Sequence, residues 1–498
     1  MVERLNRRSL LKRTAALAGV AVGAHLARGP ILLASEESRS KLRIVQIGCG
    51  GRGREAHLPN VIVEQLVAVV DVDETHTAKG LKYLEDNAKK FKLENLDLSK
   101  VKTFTEYRKM FDTFDKEFDA VSIATPDHQH ALPSLMAIQH GKHVFCEKPL
   151  THNIAEARIL GQAARKSKVA TQMGNQGLGA GGDQALAEFL EAGAIGTVTE
   201  VHTWHGFGDR FGGSFPRPPA EPVPEGMHWD DWIGAAPYRE YHDKIERVKA
   251  KKKDKDVVED RCYWHGYHDF GTGSLGGWGT HMWDAIGFAL KLTYPTTVEV
   301  LKMEDASDER FPMLTTIRFD FPAAGKRPAL KVFWYEGGHV KGDKDLGPES
   351  DVANTAGAHR PPLAAEIEKK YARKLGNAGS ILVGEKGMIT VGSHGAAPVI
   401  VPEERRKEFT PPPQTLPRYK GGIWADFVRA AKAGGPRCVS DFADFSGPLL
   451  EAMYVGHLAM RAGIGKKVEW DAPNMKCTNM PDLNQYVGRT YRKGWEVV

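Results

Sequence analysis

The chain has 498 residues, enough for two or three domains with substantial cores, and its 41% hydrophobic and 26% charged side chains are ordinary for a globular protein. The formal net charge is +5, yet residues 1–35 carry six basic side chains and one acidic one against 68 and 63 in the whole chain, so the remainder balances at 62 of each. A balanced body gives no electrostatic case for nucleic acid as a partner. Five scattered cysteines (Cys49, Cys146, Cys262, Cys438, Cys477) outline neither a disulfide framework nor a metal cluster.

The basic excess at the N-terminus has its own reading. Asn6-Arg7-Arg8-Ser9-Leu10-Leu11-Lys12 is similar to a twin-arginine export motif, and the Ala-rich apolar stretch from Thr14 to Leu26 is short for a membrane span. Residues 1–35 are therefore expected to be a twin-arginine signal recognised by the export machinery. The body is expected to be periplasmic, and membrane-tethered where the signal is retained.

Leu42-Arg43-Ile44-Val45-Gln46-Ile47 reads as a buried strand, followed by Gly48-Cys49-Gly50-Gly51-Arg52-Gly53 at G-x-G-x-x-G spacing. In such a loop Gly48 permits the turn, Gly50 lets the backbone approach a pyrophosphate and Gly53 allows helix–strand packing, while the next helix aims free N–H groups at the phosphates. A second strand, Val67–Val70, ends at Asp71, twenty-three residues after Gly48. That offset suits a carboxylate that takes the ribose hydroxyls and repels a 2′-phosphate, favouring NAD over NADP, with Asp73 and Glu74 adding to the preference. A polar helix, Glu74–Phe91, comes next. The strand Phe118–Ala124 then runs into Thr125-Pro126-Asp127-His128-Gln129-His130, and a helix follows towards Gly141. The strand His143–Cys146 leads to Glu147-Lys148-Pro149, and a helix, Ile154–Lys166, precedes the strand Val169–Met173. This alternation predicts a parallel Rossmann sheet over residues 40–173, with Gly48, Asp71, Thr125 and Lys148 all at carboxyl ends of strands.

Beyond residue 173 the alternation fades. Strands at Val198–Trp204, Thr297–Met303, Leu314–Phe321, Ala329–Tyr335, Ser380–Val383 and Met388–Val391 without regular helices predict an α+β domain, residues 174–420, with a large, mostly antiparallel open sheet. The lysine run Lys249–Lys255 reads as a solvated loop. Residues 421–498 supply helices, with Ile423, Phe427 and Ala431 on one face and a second helix over Leu449–Arg461, and a tail packing back on the body. His202/His205 and His265/His268 have i,i+3 spacing without a helix or carboxylate set, so no metal site is expected.

The nucleotide loop, Asp71, Thr125–His130, Glu147-Lys148-Pro149 and the later Gly279-Thr280-His281-Met282-Trp283-Asp284 together resemble the Gfo/Idh/MocA oxidoreductases, in particular exported twin-arginine members. The resemblance implies an NAD(P)-dependent oxidoreductase acting on a secondary hydroxyl of a sugar, sugar derivative or polyol. It implies that Lys148 lies beside nicotinamide and substrate, with His281 as the imidazole that accepts the hydroxyl proton. It places Gly48, Gly50, Gly51, Arg52, Gly53, Asp71, Thr125, Pro126, His128, His130, Glu147, Lys148 and Gln176 at the cofactor. Asn175, Tyr263, His265, His281 and Asp284 fall at the substrate. Relatives carry Asp-x-x-x-His where this chain has Gly277 four before His281, so the usual carboxylate partner of that histidine is missing. The resemblance also implies a homo-oligomer through the sheet face. Two other activities fit the same scaffold: NAD-dependent glycoside cleavage by oxidation and elimination, against which Lys148 argues, and a non-catalytic protein that retains NAD.

Overall fold

The computed structural model describes residues 41–93, 96–206, 212–214, 219–243, 248–252, 255–259, 263–338, 358–434 and 437–498. The twin-arginine stretch and Cys262 lie outside them. Six strands, β1 (Arg43–Ile47), β2 (Gln65–Val70), β3 (Lys102–Phe104), β4 (Ala120–Ile123), β5 (His143–Cys146) and β6 (Thr171–Met173), form one parallel sheet in the order β3-β2-β1-β4-β5-β6. Ile44, Val45, Val121 and Val144 are fully buried, as expected of central strands with helices on both faces. The helices are α1 (Glu74–Asp86), α2 (Tyr107–Phe114), α3 (Ala131–Gln139) and α4 (Ile154–Lys166). α1 stops five residues short of the expected Phe91. Asn87 Nδ2 donates to the Tyr83 carbonyl at 2.9 Å, and Lys92 takes a left-handed φ of 58°, so the chain leaves as turns. In this strand order the direction of winding reverses between β1 and β4, which opens a crevice at their carboxyl ends.

The second domain is an α+β unit built on a nine-stranded sheet in the order β15-β14-β13-β7-β12-β11-β10-β16-β17. Its strands are β7 (Val198–His205), β10 (Thr297–Glu304), β11 (Leu314–Phe321), β12 (Leu330–Gly337), β13 (Ala378–Gly384), β14 (Gly387–Gly392), β15 (Val399–Val401), β16 (Lys467–Asp471) and β17 (Lys476–Cys477). Among the described residues, only β7 and β12 pair in parallel within it. The lysine run, expected as loop, is instead a two-stranded ribbon of β8 (Val248–Lys252) and β9 (Lys255–Glu259).

Helices cover one face of this sheet. α5 (Gly182–Glu191) packs beside α6 (Gly279–Leu290), whose Trp283 and Ile286 bury against Ile317, Phe319 and Trp334. The chain then returns to the first domain: α7 (Gly422–Ala433) buries Ile423 and Phe427 with Leu42, Ile44 and Phe145. α8 (Gly447–Ala462) lies along the second sheet, and β16 then joins that sheet beside β10. The C-terminal segment therefore ties both domains together. Helix Pro362–Tyr371 seats Ala364 and Ile367 against Trp204, Tyr335 and Ile381, covering part of the outer sheet face. No helix among the described residues is long and apolar enough to cross a membrane.

Candidate active site

The crevice between β1 and β4 is a cleft of about 320 Å³, within the size range of small-molecule sites. At its floor, Gly48 has φ 85°, and a side chain there would meet the Ala124 carbonyl oxygen at 2.5 Å. A side chain at Gly53 would meet the Gly48 carbonyl at 2.1 Å, so only glycine lets helix and strand approach this closely. A helical turn opens at Gly51, and Gly50, Gly51 and Arg52 line the cleft, where a helix start favours phosphate. Above Gly51 nothing lies within 4 Å of where a Cβ would stand. These residues fit a dinucleotide.

At the end of β2, Asp71 accepts from the amides of Cys49 at 2.6 Å and Asp73 at 2.9 Å, and it lines the cleft. Asp73 is committed elsewhere, capping α1 through the Thr75 amide at 2.8 Å. His76 leans between these two carboxylates, 3.7 Å from each.

The ends of β4 and β5 are locked by His130. Its Nδ1 lies 2.6 Å from the Pro149 carbonyl and its Nε2 lies 2.8 Å from the Thr125 carbonyl. Two carbonyl partners require two N–H groups, hence an imidazolium. Burial opposes that charge, but Cys146, Asp127 and the Pro149 carbonyl raise the group to about 10. His128 behaves oppositely. It is sandwiched between Trp232 and Phe270, with Nε2 at the Trp232 carbonyl, and burial and Arg489 lower it to about 3. It packs under the cleft and does not line it. Pro126 and Thr125 do line it.

Glu147 is a buried junction. Its Oε1 accepts from Arg52 Nε at 2.9 Å, His57 Nε2 at 3.0 Å and Gln176 Nε2 at 3.4 Å, and its Oε2 accepts from the Lys148 amide. Burial would raise its carboxyl, but the His57 hydrogen bond and the Arg52 and Lys148 charges hold it well below the usual carboxylate range. So Glu147 lines the cleft and anchors Arg52 and Gln176.

Next in the chain, Lys148 donates from Nζ to the Gly277 carbonyl at 2.6 Å. The backbone oxygen at position 277 takes the ammonium. Four residues on, His281 is buried and its Nδ1 has no hydrogen-bond partner. Burial, and after it the Lys148 ammonium, push its basicity well below the usual imidazole range. Behind it Asn175 Nδ2 donates to Asp284 Oδ1 at 2.6 Å. Burial, with Asp183 next, raises the Asp284 carboxyl well above its ordinary value. His281 stands behind Lys148, and none of Asn175, Gln176, His281 and Asp284 lines the cleft. His265 does, stacked 3.6 Å from Trp264; the side chain of Tyr263 lies outside the described residues.

Several cleft residues have no motif to announce them. The Trp-rich stretch 226–232 lies along the nucleotide side of the cleft, with the His228 amide donating to the Val72 carbonyl and Gln129 Nε2 to the Asp231 carbonyl, both at 2.8 Å. It brings Asp231 and Trp232 to the cleft beside Tyr107, Gln129 and Asp127. Asp127 is buried, accepts from Thr272 Oγ1 at 2.7 Å, and is raised by burial. Among the described residues no three His, Cys, Asp or Glu side chains group as a metal site.

The strand order, glycine loop and crevice define a dinucleotide-binding Rossmann domain joined to an open-sheet α+β domain. More narrowly, residues 42–175 match the model of the GFO_IDH_MocA oxidoreductase family, NAD-binding Rossmann fold, and the cleft built by those residues fits a nicotinamide dinucleotide. The chain is 33% identical over 91 residues to 1,5-anhydro-D-fructose reductase of Ensifer adhaerens, covering 18% of this chain and 27% of that protein. It is 28% identical over 167 residues to inositol 2-dehydrogenase/D-chiro-inositol 3-dehydrogenase of Lacticaseibacillus casei, covering 33% and 44%. The matched stretch thus spans less than half the length of each relative. Among solved structures, the WlbA dehydrogenase from Chromobacterium violaceum, in complex with NADH and UDP-GlcNAcA, superposes with a TM-score of 0.52 at 14% identity over 87% of this chain and 97% of that one. At that identity the likeness is one of fold.

Proposed function

We propose that the protein is an exported, NAD-dependent oxidoreductase that oxidises a secondary hydroxyl of a sugar, sugar derivative or polyol, or reduces the matching carbonyl. The observation that carries this reading is the Lys148 ammonium, held on the Gly277 carbonyl at the β5 end of the cleft with His281 close enough to feel its charge. A bound nicotinamide supplies the hydride acceptor. The remaining chemistry falls to side chains. The hydroxyl proton passes to His281, whose depressed basicity keeps the ring unprotonated and ready, and Lys148 Nζ stabilises the negative charge gathering on the oxygen. The buried Asp71 carboxylate at the ribose end supports NAD over NADP, because a 2′-phosphate would face its charge. The relatives named as reductases and dehydrogenases of sugars and polyols support the substrate class.

The test is to mix purified protein with NAD and a panel of sugars and polyols and follow the near-UV absorbance of reduced nicotinamide. Growth of that band with at least one member is expected. Release of an aglycone from a glycoside with no net cofactor change would favour the elimination reaction instead. Bound NAD that no member reduces would favour a non-catalytic role. Export rests on Arg7 and Arg8; replacing both with lysine should leave the protein in the cytoplasm on fractionation. Assembly through the outer sheet face predicts a species larger than a monomer by light scattering.

A further inference from the structure

In the first sheet β1 lies between β2 and β4, so the glycine loop at its end is flanked by the ends of those two strands. Residues 226–234, which come from the second domain's part of the chain, are tied to both flanks. On the β2 side the Glu74 amide donates to the Gly226 carbonyl at 3.0 Å and the His228 amide to the Val72 carbonyl at 2.8 Å, and Asp73 pairs with Met227 as an antiparallel bridge. On the β4 side Gln129 Nε2 donates to the carbonyls of Asp231 at 2.8 Å and Trp232 at 3.2 Å, and His128 Nε2 meets the Trp232 carbonyl at 2.8 Å. Asp231 and Trp232 also line the cleft. The segment thus joins the two strand ends across the loop built for pyrophosphate, and Trp229 stacked on Trp232 at 4.6 Å stiffens it.

The last residues of the chain fasten this segment. Arg492 Nη1 donates to the carbonyls of Asp230 at 3.2 Å and Gly234 at 3.3 Å, and its Nη2 donates to Asp230 Oδ1. Around Arg492 the tail grips the first domain. Arg489 Nη2 donates to the His128 carbonyl at 2.7 Å, and Arg108 Nη1 donates to the Gly494 carbonyl at 2.8 Å. Trp495 is buried, with the Arg108 guanidinium 3.6 Å over its face and the cleft residue Tyr107 against it at 5.9 Å. An exposed ion pair alone would add little, but a guanidinium forked onto two carbonyls beside a buried indole fixes one geometry. A ligand held on the glycine loop under a segment anchored on both sides leaves only when anchors on one side break, and the tail braces those anchors. We propose that residues 226–234 are a strap over the bound dinucleotide and residues 489–495 its latch, so that NAD stays resident in the cleft and is released only when the tail undocks from the strap. This rests on the reading of the cleft as a nicotinamide dinucleotide site.

The test uses the full-length protein loaded with NADH. Release is followed by the decay of NADH emission after a chase with excess NAD, and amide hydrogen exchange is compared with and without NADH. Arg492→Ala combined with Trp495→Ala removes the latch without changing a residue that lines the cleft, and Arg492→Lys keeps the charge while losing the fork. The double variant should release NADH at least tenfold faster than wild type, with Arg492→Lys between the two. In wild type NADH should slow exchange at 226–234 and at 489–495 together. The second segment does not line the cleft, so protection there reads its coupling to the strap and not contact with the ligand. Release from the double variant within twofold of wild type overturns the latch and leaves the cofactor reading standing. Where the double variant fails to fold, the exchange measurement decides: protection at the cleft with 489–495 unchanged overturns the latch in the same way. A wild-type protein that binds no NADH overturns both.

Discussion

Replacing Lys148 with methionine keeps most of the stem and removes the ammonium. In the structure that ammonium sits 2.6 Å from the Gly277 carbonyl, and its charge bears on Glu147, Asp127, His281 and His394. A unit charge about 4 Å from another is worth about 4 kcal/mol at an effective dielectric constant of about 20, and an oxygen bearing roughly half a charge in the transition state gains about 2 kcal/mol. Adding the lost orientation, about 3 kcal/mol is expected, or a fall in kcat/KM of about 10²-fold. A second effect follows from the same charge. Lys148 is the largest electrostatic influence on His281 after burial, so its removal should let the imidazole regain basicity and move the acid limb of the pH–rate profile upward. Steady-state kinetics across pH, with NAD affinity measured by fluorescence quenching, reads both. A loss below tenfold, or a loss of NAD affinity equal to the loss of kcat/KM, would refute the placement of Lys148 at the reacting oxygen.

His130 provides a pH test of the fold. Raised from about 6.5 when unfolded to about 10 in place, its charge stabilises the native state fully below about pH 6.5, and that stabilisation is lost as pH rises through about 10. The thermal midpoint should fall over that window in wild type and fall less in His130→Gln, monitored by circular dichroism. Asp71→Asn removes the charge that repels a 2′-phosphate, so the preference for NAD over NADP should shrink about tenfold, about 1.4 kcal/mol, in binding titrations. The same change sets an amide N–H against the Cys49 or Asp73 amide and should lower the melting point. Phe427→Ala, at a fully buried position packed on Phe145, should cost about 3–5 kcal/mol in denaturant unfolding of the first domain.

How much of this was legible before folding depends on the range of the interactions. Gly48–Gly53 with its flanking strand, Asp71 at the end of β2 and Lys148 at the end of β5 are consequences of local geometry. A glycine forced by a tight approach, a carboxylate at a strand end and an alternation of buried strands with helices each leave a mark within about thirty residues. The parallel sheet and its crevice followed from those marks, because crossover handedness leaves few ways to assemble them. The tertiary structure decided what lies across the crevice. Asp231 and Trp232 reach it by laying backbone carbonyls on side chains about a hundred residues earlier. β16 enters the second sheet beside a strand some 170 residues upstream. His394 meets His281 only because glycines on both sides let two backbones touch. Contacts of that kind are set by packing among distant segments, which imposes no period and no spacing on the chain, so sequence alone determined the nucleotide-binding half of the cleft and the fold determined the rest.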